Sequence, residues 1–180
     1  MVLSKSKITN LFFLIILMLK DNSSGYRKNV GLIILNKKCK VLLCKRSKTD
    51  NWQFPQGGID KKETPLDAAY RELFEEVNIQ KNQVELISEY PEWIKYDLPP
   101  KFKKTPYTLN GFKGQNQKWF LFMLKEDVNI SFHNDVKPEF DSYDWVNYWS
   151  PLEKIIYFKK DVYEKVLKGF SEKFTELCLK

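Results

Sequence analysis

Gly57-Gly-Ile-Asp-Lys-Lys-Glu-Thr-Pro-Leu-Asp-Ala-Ala-Tyr-Arg-Glu-Leu-Phe-Glu-Glu-Val-Asn-Ile79 is the stretch that decides how this chain is read. Its second half is a predicted helix. Pro65 suits a first helical position with Thr64 before it, and Leu66, Ala69, Leu73 and Val77 mark one apolar stripe. Glu72, Glu75 and Glu76 then fall at i, i+3 and i+4, so three carboxylates leave one face of consecutive turns. Like charges at this spacing repel by a few tenths of a kcal/mol per pair, and such a cluster points to a hard divalent cation held by oxygens. A solvated acidic face is the commoner explanation of three glutamates, and spacing alone does not separate the two.

The residues before the helix shift the balance. Gly57 and Gly58 follow Trp52-Gln-Phe-Pro-Gln56, and paired glycines let a backbone approach a phosphate or metal with no Cβ in the way. Arg71 stands next to the first candidate ligand and can hold a carboxylate, Glu63, by a bidentate pair. The stretch reads as a loop and a helix built around one ion.

These residues carry a resemblance. The pattern G-x5-E-x7-R-E-U-x-E-E-x-G-U, with U aliphatic, is the Nudix box, matched here by Gly57, Glu63, Arg71, Glu72, Leu73, Glu75, Glu76 and Ile79. Asn78 replaces the last glycine, and asparagine is the next residue most tolerant of the left-handed conformation needed there. Gly25–Gly31, Trp52–Ile59, Tyr70–Glu76, Gln117–Phe120, Pro138–Phe140 and Phe158–Tyr163 extend the likeness. Together they resemble the bacterial RNA pyrophosphohydrolases, also described as dinucleoside polyphosphate hydrolases, with the Trp-Gln-Phe-Pro-Gln-Gly-Gly run as the most specific part.

Composition sets the frame. The 180 residues, 43% hydrophobic and 15% aromatic, suffice for one domain with a substantial core. The net charge is +7, yet residues 60 to 76 hold six acids against three bases, an acidic pocket inside a basic protein. That contrast suits a polyanionic substrate, although a positive charge by itself needs no more explanation than solubility. Cys39, Cys44 and Cys178 show no metal-site spacing and read as reduced thiols of a cytoplasmic protein. His133, the only histidine, reads as a surface-loop residue. Lys5 and Lys7 precede the apolar run Leu11–Leu19, too short for a typical membrane span and without a clear cleavage site after it. Initiation at Met18, or else a poorly ordered extension over residues 1–24, is therefore expected in preference to a secretory signal, with residues 25–180 as the domain and no stable membrane association.

Strands are predicted over Val30–Leu35 and Lys40–Cys44, joined as a hairpin, and over Val84–Tyr90, Trp93–Leu98, Lys118–Leu124 and Tyr143–Tyr148. Phe120, Phe122 and Leu124 share one face. Val162, Val166, Phe170, Phe174 and Leu177 form a core-facing stripe of a helix from Asp161 to the end. Residues 95–118, with Lys95, Lys101, Lys103, Lys104, Lys113 and Lys118 against Asp97 alone, read as a mobile basic excursion near the phosphate cleft, with a plain solvated loop as the alternative. The expected class is α/β, and the resemblance implies an α/β/α sandwich with a central mixed sheet and the box helix packed beside it.

The resemblance also implies a reaction, water cleaving a phosphoanhydride with Mg²⁺ as cofactor, Mn²⁺ or another divalent ion substituting. Glu72, Glu75 and Glu76 are the implied ligands, with the Gly57 carbonyl as a further oxygen, while Arg71 positions. Glu139 is implied either to complete the metal site or to activate water. Arg27 and Lys159 match phosphate-contacting positions, and Phe158 and Arg46 match positions that sandwich a base. The expected partner is 5′-phosphorylated RNA, with dinucleoside polyphosphates such as Ap4A or Ap5A as the alternative and no role for DNA. A binding module that kept the fold and lost turnover ranks below both, because its carboxylate set would be expected to be incomplete.

Overall fold

The computed structural model describes residues 25–100, 112–133 and 137–179, so the readings of residues 1–24 and of Lys101, Lys103 and Lys104 fall outside the described residues. β1 (Tyr26–Leu35) and β7 (Gly114–Leu124) form the centre, parallel in register from Tyr26↔Gly114 to Leu35↔Met123. Both are nearly continuous runs of buried residues, the pattern of strands covered on two faces. Outward from β1 come β2 (Val41–Arg46) and β3 (Trp52–Gln53), and outward from β7 comes β5 (Val84–Glu89). β4 (Gln56–Gly58) pairs with β1, β6 (Ile94–Asp97) with β7 and β8 (Phe140–Val146) with β2, all antiparallel.

Alternation along the two central strands divides the interior into two cores. Val30, Leu32 and Ile34 with Phe120, Phe122 and Leu124 face α1 (Pro65–Val77), meeting Ala68, Ala69, Leu73 and Val77. Ile33, Leu35, Trp119 and Leu121 face the opposite way onto Val162, Tyr163, Val166, Leu167 and Phe170 of the C-terminal helix. Each such side chain contributes about 1.5–3 kcal/mol when fully buried. The result is the expected mixed-sheet α/β/α sandwich. The remaining helices are α2 (Pro151–Lys154) and that C-terminal helix, α3 (Lys160–Cys178).

Local signals explain the ends of the elements. The Asn36 side chain accepts from the Lys38 and Lys40 amides and closes the expected hairpin turn. Thr64 caps α1 by accepting from the Asp67 amide, with Pro65 in the first turn. Asn78 adopts φ 58° and ψ 34°, and the Asn78 and Ile79 amides donate to the Phe74 and Leu73 carbonyls, so the turn survives without glycine. His133 lies in an exposed turn.

Several expectations are corrected. Cys39 and Cys178 are disulfide-bonded across 139 residues of sequence, leaving only Cys44 as a buried thiol. The hairpin turn and the end of α3 meet only in the folded chain, so no local spacing could signal the pair. Gly57 and Gly58 belong to a short strand rather than a loop. Two lysines assigned to the basic excursion do not belong to one, since Lys95 lies in β6 and Lys118 in β7, where it is buried and paired with Glu89 at 2.8 Å. β8 starts at Phe140, three residues before the predicted strand, because its ladder with β2 reaches Arg46. Leu177 is exposed, and Cys178 packs against the core instead.

Candidate active site

A cleft of about 470 Å³ opens where α1, the β3–β4 segment and the start of α3 converge. Its α1 wall is formed by Glu72 and Glu76, one turn apart on the cleft side. Glu72 is buried, and Glu76 is half-buried with one oxygen accepting from the Gln56 amide at 2.8 Å. Glu75 points outward and does not line this cleft. It lines a smaller cavity shared with Glu72, Glu76 and Glu139.

Arg71 organises this wall. Its Nε and Nη2 donate to the two Glu63 oxygens at 2.9 Å each, the anticipated bidentate pair. Nη1 donates to Glu72 at 2.8 Å and Glu75 at 2.9 Å, and Nη2 also reaches the Gly58 carbonyl at 2.7 Å. These bonds hold the Glu63 carboxyl below its ordinary range. They do not do so for Glu72, where burial dominates and pushes the carboxyl up to about 6, with the Glu75 and Glu139 charges adding to it. Burial likewise raises Glu76, reinforced by Glu139 and Glu72.

The two glycines make room for the protein's own charges. A Cβ on Gly57 would stand 1.8 Å from the Glu72 carboxyl carbon, and one on Gly58 would stand 2.1 Å from an Arg27 guanidinium nitrogen. Gly57 is therefore required for Glu72 to lie where it does.

The opposite wall comes from distant parts of the chain. Glu139 immediately precedes β8 and receives Arg46 Nη1 at 3.3 Å and Gln53 Nε2 at 3.1 Å. Lys159, in a 3-10 turn before α3, is buried and donates to Gln53 Oε1 at 2.9 Å and Gln56 Oε1 at 3.1 Å. Burial pulls its ammonium down to about 7, with Arg46 adding to the fall and Glu139 and Glu76 opposing it. Phe158 lies 6.1 Å from the Tyr96 ring, and Arg27, Arg46 and Phe158 all line the cleft.

The fold thus brings Arg27, Arg46, Gly57, Glu72, Glu76, Glu139, Phe158 and Lys159 to one cleft, with Arg71 behind it and Glu75 at its edge. The sequence reading missed the carboxamides. Gln53, Gln56, Asn29 and Gln115 line the same cleft, and Gln117 Nε2 donates to Asn29, Gln56 and Gln115 from beneath. Their signal was present as the polar run Gln115-Asn-Gln117 leading into an apolar strand, and as two glutamines flanking Phe54-Pro55.

The donor set fits a hard divalent cation. Beside the larger effect of burial, the Glu139 charge raises the proton affinity of both Glu72 and Glu76, as expected of carboxylates crowded at one site. Among the described residues no three donors are already gathered as a tight cage.

Comparison with known proteins agrees with this geometry. Residues 25–166 match the family model of the NUDIX domain. The RNA pyrophosphohydrolase of Francisella philomiragia is 44% identical over 154 residues, spanning 84% of this chain and 97% of that protein. Among solved structures, the E. coli dihydroneopterin triphosphate pyrophosphohydrolase superposes with a TM-score of 0.63 at 21% identity, covering 80% of this chain and 98% of the other. A C. elegans Ap4A hydrolase in a binary complex gives 0.63 at 23% identity, covering 83% and 98%. These two structures establish the shared fold.

Proposed function

The chain belongs to the NUDIX family and is a hydrolase of phosphoanhydride bonds, and from that premise we propose that it converts the 5′ triphosphate or diphosphate of RNA to a 5′ monophosphate. Pyrophosphate or phosphate is the second product, and the transcript is left open to decay. The observation that carries this reading is that Glu72, Glu76 and Glu139 line one cleft together with Arg27 and Lys159. The carboxylates of such a cleft attract a cation and its basic side chains a phosphate chain.

Mg²⁺, or Mn²⁺ or another divalent ion in its place, would be held by Glu72, Glu75, Glu76 and Glu139 with the Gly57 carbonyl, supplying charge neutralisation at phosphate oxygens and a more acidic attacking water. Arg71 fixes Glu72 and Glu75 through the hydrogen bonds of one guanidinium. Arg27 and Lys159 draw in the phosphates, and Lys159 keeps one N–H for them beyond those given to Gln53 and Gln56. Phe158 and Arg46 flank the terminal base, stacking by ring face and guanidinium plane.

Residues 25–180 form the catalytic domain in this reading, with 1–24 outside it. The same reading places the enzyme in the cytoplasm, where transcripts are made. No helix among the described residues is long and apolar enough to cross a membrane.

Hydrolysis of triphosphorylated RNA and of Ap5A by one preparation tests the substrate. Faster release from RNA is expected, and a large preference for Ap5A would overturn the proposal in favour of dinucleoside polyphosphates.

A further inference from the structure

Gln53 occupies the space between the two charged groups of the far wall. Its Oε1 accepts from Lys159 Nζ at 2.9 Å while its Nε2 donates to Glu139 Oε1 at 3.1 Å, so one carboxamide serves a cation at one end and an anion at the other. An ammonium and a carboxylate in a poorly solvated cleft otherwise attract strongly and close into a direct pair. Such a pair would spend the charge of both groups on each other.

We infer that Gln53 is a positioning residue that keeps Glu139 and Lys159 apart, leaving each with a bonding site turned to the substrate side of the cleft. The inference rests on the roles proposed above for these two side chains. With the spacer present, the Lys159 ammonium uses two of its three N–H groups on Gln53 and Gln56. Glu139 receives both Gln53 and Arg46 on Oε1, and its Oε2 has no hydrogen-bond partner among the described residues.

The support behind Gln53 is rigid. It is 3% exposed and sits in β3 opposite Cys44 of β2. The next residue, Phe54, donates its amide to the Tyr163 hydroxyl at 2.8 Å and stacks on that ring at 4.8 Å. The amide orientation is fixed as well, because reversing it would turn an NH₂ toward the ammonium and an oxygen toward the carboxylate. A glutamate here would repel Glu139, and an apolar residue would release both partners.

Gln53→Met and Glu139→Gln, singly and combined, test this. Gln53→Met is expected to lower kcat by about tenfold or more and to raise the half-saturating Mg²⁺ concentration by a similar factor, the usual scale for losing a partner behind a ligand. In the Glu139→Gln background it should cost nothing further. Penalties that multiply would overturn the inference, as would an unchanged kcat in the single variant. A crystal structure of metal-free Gln53→Met gives a readout independent of turnover. Direct contact between Lys159 Nζ and the Glu139 carboxylate is expected, and unmoved side chains would refute the spacer role. If Glu139→Gln alone leaves activity intact, the proposed role of Glu139 fails, and that crystal structure then decides for or against the spacer. Should Gln53→Met fail to fold, Gln53→Leu, also unable to bond either partner, takes its place in the same cycle, with loss expected in the parent and none in the Glu139→Gln background.

Discussion

The two walls of the cleft bring charge to the same place by different routes. The α1 wall is local, with Glu63, Arg71, Glu72, Glu75 and Glu76 all within 14 residues and four carboxylates bonded by one guanidinium or by the Gln56 amide. The far wall is assembled from β2, β3, the residue before β8 and the turn before α3, with sheet pairing bringing the strands together and side-chain bonds linking Arg46, Gln53, Glu139 and Lys159. A helix supplies its own register, so the first wall needs only a sequence pattern. The second needs the whole sheet to be right, and uncharged carboxamides hold its unlike charges in place.

If the α1 wall carries the cation, Glu76→Gln should be the most damaging change. A bound metal lends several kcal/mol of charge stabilisation at about 1.4 kcal/mol per factor of ten, so kcat should fall about a hundredfold or more while the melting temperature holds or rises. Unchanged turnover would move the ion to the other wall and break the contrast.

A smaller loss is expected from Gly57→Ala. The new Cβ would fall on the Glu72 carboxyl carbon, so the carboxylate must swing away, and kcat should drop about tenfold with circular dichroism unchanged. Full activity would show that the placement of Glu72 is not critical.

The smallest effect is thermodynamic and sharpens the electrostatic half of the comparison. The Glu72 carboxyl stands at about 6 in the folded protein against an ordinary 4.5, so the native state holds its proton more tightly over that interval. The ionised side chain therefore costs stability, with no cost below pH 4.5 and the full cost above pH 6. Chelator-treated Glu72→Gln should be more stable than the parent by about 2 kcal/mol at pH 7.5, at 1.36 kcal/mol per pKa unit, with the gain vanishing near pH 4. Urea melts at the two pH values check this, and a gain that grows on acidification would reverse the assigned sign.

Much of this was legible beforehand for physical reasons that differ by residue. Thr64, Pro65 and Asn78 act through their own backbone neighbours, so the ends of α1 could be read directly. Phe120, Phe122 and Leu124 obey the two-residue period of a strand, so their shared face could be read too. Lys118 could not, because its burial follows from Glu89 and the Pro91 carbonyl on a neighbouring segment. Gln53 and Gln56 looked like ordinary polar residues beside two glycines until Lys159, more than 100 residues away in sequence, was placed against them.

By itself the sequence determined the family, the capped helix with its carboxylates, the alternating strands and the Arg71–Glu63 pair, all of which depend on contacts within a few residues or on a periodic pattern. Only the tertiary structure decided that Glu75 leaves the main cleft, that Cys39 meets Cys178, and that Gln53 parts Lys159 from Glu139. Those contacts are set by sheet order and chain crossing, which bring together residues whose separation along the chain carries no trace of their distance in space.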